Sequence, residues 1–291
     1  MSALRSLALF CLLVATGCRR QPTLPVSSQG ADTPRIVSLA PSLTEIIFAL
    51  EAENCLVGRT DVCNWPPEAR KLPVAGHFGR PFLETILRLR PTHVLTADLE
   101  DKRSIDALQS AGVQHRRIPC IRLADIPIAI RELGALTGRD DHGEKLASDL
   151  ERQLQALRNS TATNPAPLVF VEIWGDPLMT AGRRSFVSEL ITLSGGRNLG
   201  DEVDADYFTV APDWVLQRDP DVILCLYMTA GGRAAHRVAQ RPGWHVLQAV
   251  QKNRIYDNFN ADTVFRPGPR VMEGIQALRH VLKQAAGASR F

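Results

Sequence analysis

The side chains best able to grip a small molecule lie in connecting segments, not in any compact motif. Trp65, Phe78, Trp174, Tyr207, Phe208 and Phe265 all fall in stretches rich in Gly, Pro, Asn and Asp. Flat aromatic rings bury a broad apolar body, and a few polar groups beside them orient it. His77 precedes Phe78, and a neutral imidazole there could ligate a metal held by such a body. A bare metal ion is a poorer fit. It calls for several His, Asp or Glu residues in the same loops, and the Ala40-Pro41 turn offers none. Covalent chemistry has no matching pattern. The sequence holds no Walker loop, no G-x-S-x-G elbow, no H-E-x-x-H and no Cys-x-x-Cys. Gly195-Gly196 and Gly231-Gly232 fit no dinucleotide fingerprint. A triad assembled in space from distant Ser, His and Asp is left open. Binding without catalysis is the expectation.

These loops must be held by elements, and the hydrophobic pattern is strand, helix, strand, repeated. That order predicts an α/β fold with parallel sheets covered by helices. RIVSL (35–39), CLVG (55–58), HVLT (93–96) and VQHRRI (113–118) read as strands. Helices are expected near 82–89, 101–111 and 125–137, the last closed by Gly138. Ser42-Leu43-Thr44-Glu45 has the form of a capping box opening the helix that contains IIFAL. A second series starts at LVFVEIW (168–174) and continues through DVILCLY (221–227) and RIYDNF (254–259), with helices near 185–194, 212–218 and 268–284.

The two series echo each other. FLETILRLRPTHVLT (82–96) aligns without gaps on APDWVLQRDPDVILC (211–225), matching Glu84 with Asp213, Leu87 with Leu216 and Pro91 with Pro220. TEIIFALEAENCLVG (44–58) is matched less closely, with a length difference, by SELITLSGGRNLG (188–200). Both pairings occur in the same order, which points to two related lobes. Glu84 and Asp213 each fall in a helical first turn, where a carboxylate complements the helix dipole. Leu146, Leu150, Leu154 and Leu157 form one stripe of a helix between the lobes. About 18 residues of it would span about 27 Å. A stiff connection of this kind predicts little opening and closing, although the helix could equally pack on one lobe. In open α/β sheets ligands sit beyond the carboxyl ends of the strands. Those loops are Ala40-Pro41, Asp61 to Pro66, Gly76 to Arg80, Trp174 to Met179, Ala205 to Phe208 and Asn260 to Pro267.

The N-terminus sets the compartment. Arg5, the short apolar run LALFCLLV (7–14) and Ala15-Thr16-Gly17-Cys18 have the layout of an export signal. The run is far shorter than the roughly 20 residues of a membrane-spanning helix. Residues 18–34 read as a disordered tether, poor in apolar periodicity and rich in Pro, Ser and Gln. Removal of 1–17 leaves about 270 of 291 residues and takes away Arg5, lowering the net charge from +3 to +2. With no long basic run, nucleic acid is not an expected partner. Cys55, Cys63, Cys120 and Cys225 match no zinc spacing. Export permits a disulfide, for which Cys63 and Cys120 are the candidates, whereas Cys225 ends an apolar run and reads as core.

Taken together, PRIVSLAPSLTEIIFAL (34–50), VGRTDVCNWPPEARKLPVAGHFGRPFLETILRLRPTHVL (57–95) and RPGPR (266–270) resemble the periplasmic cobalamin-binding proteins of ABC importers. That group lies within a larger one of helix-linked binding proteins serving iron-siderophores, haem and metal ions. The resemblance runs from about 35 to 284. It implies two Rossmann-like lobes (35–139 and 166–286) joined by one long α-helix (140–160), with the ligand between them. It further implies a monomer that captures cobalamin or a related corrinoid as transported ligand and delivers it to a permease and its ATPase. Phe78 and Tyr207 match positions where cobalamin binders carry an aromatic, and Asp262 and Arg266 match positions of polar contact. Val62 and Ala97 stand where well-known members have aromatics, so Trp65 or Trp174 must supply stacking surface, or the corrinoid differs. His77 would be an axial ligand to cobalt or haem iron. Glu84 and Asp213 match carboxylates that pair with permease arginines. The Ala-Thr-Gly-Cys ending resembles a bacterial lipobox, with Ala15 in place of the usual Leu, making Cys18 the lipidated residue that anchors the chain to a membrane. A ferric siderophore or haem is the alternative ligand, with Arg59, Arg80 and Arg266 as cations for an anionic one. A sensor or scaffold lipoprotein is the alternative of another class.

Overall fold

The computed structural model describes residues 33–97, 102–160, 166–227 and 233–287. The export signal, Cys18 and the tether through residue 32 lie outside them. The first lobe begins with the wholly buried β1 (Ile36–Ser38), which turns through Ala40 into α1 (Pro41–Ala49). Next come β2 (Leu56–Thr60), β3 (Val74–His77), β4 (Arg80–Pro81), α2 (Leu83–Arg88), β5 (His93–Thr96), α3 (Lys102–Ser110), β6 (Gln114–Arg117) and α4 (Asp125–Thr137). The sheet runs β4-β3-β2-β1-β5-β6, parallel except where β4 folds back on β3. α1 does not open with the expected capping box. Ala40 is the N-cap and Pro41 the first helical residue, where its missing N–H costs nothing. The Glu45 carboxylate is committed elsewhere.

The second lobe begins with β7 (Leu168–Glu172), followed by β8 (Trp174–Gly175), β9 (Leu178–Ala181), α6 (Phe186–Leu193), β10 (Arg197–Asn198), β11 (Tyr207–Thr209), α7 (Pro212–Leu216) and β12 (Val222–Cys225). It ends with α8 (Ala234–Ala239), α9 (Gln248–Gln251), β13 (Ile255–Tyr256), α10 (Ala261–Phe265) and α11 (Val271–Gly287). Its parallel sheet runs β10-β7-β12-β13, the same order as β2-β1-β5-β6 in the first lobe. The internal repeat is therefore structural. Arg90 and Asp219, matched in the repeat, both take positive φ (48° and 40°) before their matched prolines. The departure is a small antiparallel sheet, β11-β9-β8, which has no counterpart in the first lobe.

Between the lobes, α5 (Asp140–Ser160) is a 21-residue helix, about 31 Å long. It turns back on α4 at Gly138, whose φ of 69° suits glycine. The two helices pack with backbones in contact because Gly134 faces Gly143. A methyl on Gly134 would lie 3.1 Å from the Arg139 carbonyl oxygen and 3.3 Å from the Gly143 Cα. The same face of α5, seven and eleven residues beyond Gly143, buries Leu150 and Leu154 in one apolar cluster that includes Ile46 and Ile130 of the first lobe and Leu190 and Leu278 of the second. Leu146 and Leu157 pack at its margin, so the whole leucine stripe faces the core. Both expectations for this helix hold at once: it links the lobes and it packs along one of them.

Candidate functional site

A cavity of about 470 Å³ opens between the lobes, lined by the carboxyl-end loops of both parallel sheets. The first lobe supplies Ala40 to Ser42 after β1, Asp61, Val62 and Asn64 after β2, and Phe78 after β3. The second supplies Arg184 to Phe186, Asp206 and Tyr207, and the α10 segment from Ala261 to Pro267. Phe78 and Tyr207 come from opposite lobes and stay 45% and 42% exposed, so each offers ring surface to a guest. Phe186 and Phe265 complete the apolar wall. The cavity also takes in Ala97, Cys120 and Ile121. Ala97 is one of the two places where the resemblance led one to expect an aromatic, whereas Cys120 and Ile121 follow a strand whose loop carries no aromatic to mark it. Phe186 was hidden as the first residue of a helix.

The charged lining is three carboxylates and two guanidinium groups. Asp61, Asp206 and Asp262 face the cavity, against the guanidinium groups of Arg184 and Arg266. Arg184 is half-exposed and only 3.8 Å from Asp204 and 3.9 Å from Asp206. Arg266 is fully engaged by the protein. It donates to Glu45 at 3.1 Å, the Asn64 side chain at 2.7 Å and the Val62 carbonyl at 3.1 Å, and pairs with Asp262 at 2.7 Å. Glu45, 2% exposed at its side chain, also takes two hydrogen bonds of 2.8 Å from Arg270. Burial opposes the charge on Arg270, but hydrogen bonding and attraction from Glu45 outweigh it and raise its pKa.

Of the site residues expected from sequence, Phe78, Tyr207, Asp262 and Arg266 meet at the cavity, whereas Trp65 and Trp174 do not line it. Trp65 stacks instead on Arg270, whose guanidinium carbon is 4.6 Å from the ring centre. Trp174 is carried off in the β8–β9 hairpin, where its indole N–H donates to the Asp176 carbonyl at 2.7 Å. The chain turns away there because β7 ends at Glu172, which is fully buried and held by Arg241 through two hydrogen bonds of 2.9 Å. His77 sits on the exposed β3–β4 hairpin, outside the lining, with Nδ1 2.7 Å from the Asp61 carboxylate and its ring edge-on to Phe82. Trp214 packs against the second lobe's own core, beside Phe208 and Arg218.

Two sequence expectations are corrected. Cys63 and Cys120 form no disulfide. The Cys63 thiol lies 3.0 Å from the Thr60 hydroxyl, and the Cys120 thiol donates to the Pro267 carbonyl at 2.7 Å. Arg59 is no ligand cation. It is buried, and its two terminal nitrogens donate to the carbonyls of Thr60, Asp61 and Arg70. Glu84 and Asp213 are exposed in the first turns of α2 and α7, and neither forms an ion pair among the described residues. Among those residues no cluster of three or more His, Cys, Asp or Glu is placed to hold a metal ion.

Comparison with known proteins agrees with this architecture. A vitamin B12-binding protein of Vibrio cholerae serotype O1 is 28% identical over 256 residues, covering 86% of this chain and 90% of the relative. The crystal structure of the periplasmic vitamin B12 binding protein BtuF of Vibrio cholerae superposes with a TM-score of 0.73, covering 87% of this chain and 97% of that one. The ABC transporter substrate-binding lipoprotein YvrC of Bacillus subtilis, itself uncharacterized, is 27% identical over 84% of this chain and 78% of its own length. The periplasmic heme-binding protein RhuT of Roseiflexus sp. RS-1 superposes with a TM-score of 0.77 at 28% identity, over 87% of this chain and 99% of its own. The family model described as periplasmic binding protein matches residues 36–258, and the chain belongs to that family.

Proposed function

We propose that this protein is the substrate-binding component of an ABC importer and that its cargo is cobalamin or a related corrinoid. The observation that carries the reading is the cavity between the lobes, with Phe78 and Tyr207 on opposite walls and three aspartates among its lining. A corrinoid is a broad apolar disc edged with amides. Aromatic rings stack on its faces, and Asp61, Asp206 and Asp262 can accept hydrogen bonds from its amide N–H groups. The vitamin B12-binding relatives support the same cargo. Purified protein incubated with cobalamin or with haem and passed through gel filtration tests it. The corrin absorbance should travel with the protein, and haem that co-elutes while cobalamin does not would overturn the reading.

Haem or a ferric siderophore is the second reading, supported by the heme-binding structural relative. Both ligands carry carboxylates or other anionic groups that need cations. Arg266 and Arg59 are taken up by protein acceptors, Asp262 among them, and Arg80 does not line the cavity, which leaves Arg184 beside Asp61 and Asp206. That balance favours a guest without strong negative charge. Binding without catalysis agrees with relatives named for what they bind and with the lack of catalytic motifs.

Export, lipidation at Cys18 and a tether long enough to let the lobes face a permease complete the proposal, with YvrC a lipoprotein relative. Glu84 and Asp213 would dock the permease, one from each lobe. Their matched, exposed places on α2 and α7 support that role against a sensor or scaffold function. A metal-ligating role for His77 gains little support, because it lies outside the cavity lining.

A further inference from the structure

Two carboxylates outside the cavity lining are matched by the internal repeat and do matching things. Glu45 of α1 aligns with Glu189 of α6 in the pairing of 44–58 with 188–200. Glu45 belongs to the first lobe but spends its oxygens on Arg266 and Arg270 of the second. Glu189 belongs to the second lobe but accepts from the Leu123 backbone N–H at 2.9 Å and from Arg122 at 3.2 Å, both of the first. Each carboxylate thus grips the segment just before the other lobe's last covering helix, α4 or α11. Those two segments also line the cavity, through Cys120 and Ile121 on one side and Arg266 and Pro267 on the other. They touch directly where the Cys120 thiol donates to the Pro267 carbonyl.

We propose that Glu45 and Glu189 are a reciprocal pair of positioning residues that lock the two lobes in one arrangement and so hold the ligand seat preformed. Neither residue touches the guest. Taking a carboxylate and two guanidinium groups out of water yields little net stability over apolar packing. What the arrangement adds is direction, since only one relative placement of the lobes satisfies both grips. A seat already assembled saves the ordering cost that a guest would otherwise meet on binding. The affinity consequence rests on the cavity being the ligand seat, whereas the locking itself does not.

Spin labels at Lys71→Cys and Lys252→Cys, exposed positions on opposite lobes, report the distance between lobes in the ligand-free protein. The measurement is made on the otherwise unaltered chain and on Glu45→Gln and Glu189→Gln variants. Each substitution should broaden the distance distribution, and saturating cobalamin should narrow it again because the guest bridges both walls. Corrinoid affinity should fall about tenfold in either variant. If Glu45→Gln fails to fold, Glu189→Gln, whose carboxylate is less buried, carries the comparison. Unchanged distributions in the folded variants would overturn the lock. Unbroadened distances with weakened binding would do so too, since the loss would then not come from lobe placement. Failure of the unaltered protein to bind cobalamin would count against the cargo, while the ligand-free distances would still decide the lock.

Discussion

Phe78 and Tyr207 stand almost half exposed on opposite walls of one cavity, where a single guest can cover both rings. Phe78→Ala should therefore weaken corrinoid binding by about 1–2 kcal/mol with little change in thermal midpoint, as for an aromatic anchor. Trp174→Ala should leave affinity within a factor of about two, because that ring lies outside the cavity. Isothermal calorimetry on the two variants separates these outcomes, and equal losses would contradict the assignment. Both residues look alike in the sequence: each is an aromatic just past a strand. What distinguishes them is tertiary. The Glu172–Arg241 pair ends β7 and sends Trp174 into a hairpin, and its partners are 69 residues apart. Arg266 was likewise legible as a polar residue of the site, but its engagement with Glu45 spans 221 residues and leaves no local trace.

Elements were most legible where one physical signal dominated. β5 was read residue for residue from HVLT, and α4 from its apolar stripe and closing glycine. The repeat of α2–β5 in α7–β12 was visible because helix, left-handed turn, proline and buried strand recur in fixed order. The β3, β4 and β10 strands were missed, and so were β8, β9 and β11. They are two to four residues long, and β11 pairs with β9 across a gap of almost thirty residues, so no periodicity accumulates. The α4–α5 hairpin makes a test of its own. Hydrogen bonds from Arg131 hold the Glu144 carboxyl well down, to about 2, and lower that of Glu151. Folded values depressed in this way stabilise the protein fully above the ordinary carboxylate range, and the contribution is lost as pH falls through it toward 2. Arg131→Met should lower the urea midpoint at pH 7 and make no difference near pH 2. A constant gap at both pH values would show that the arginine acts through packing alone. In the second lobe, Trp244 is fully buried, edge-on to Phe170 and stacked on Arg241. Trp244→Ala should cost about 3–5 kcal/mol by urea denaturation.

At the scale of the molecule, two sheets of the same strand order share one apolar core and face each other across a cavity. That continuous core, with α5 running along it, resists the wide hinge motion that flexible strands between lobes would allow. The lobes should thus present Glu84 and Asp213 at a nearly fixed separation, as a docking surface requires. Reversing both charges, Glu84→Lys with Asp213→Lys, should leave corrinoid affinity unchanged and reduce uptake into cells at least tenfold, since facing charges would repel. Normal uptake by this variant would remove the docking role. Beneath these tests lies the proposed seat itself, a corrinoid held between rings from opposite lobes. Calorimetric titration of cobalamin into the unaltered protein and into a Phe78→Ala/Tyr207→Ala variant tests it most directly. Binding should be one-to-one in the first and weaker by about a hundredfold in the second, with the fold intact by circular dichroism. No heat from the unaltered protein, or full affinity after both rings are removed, would contradict it.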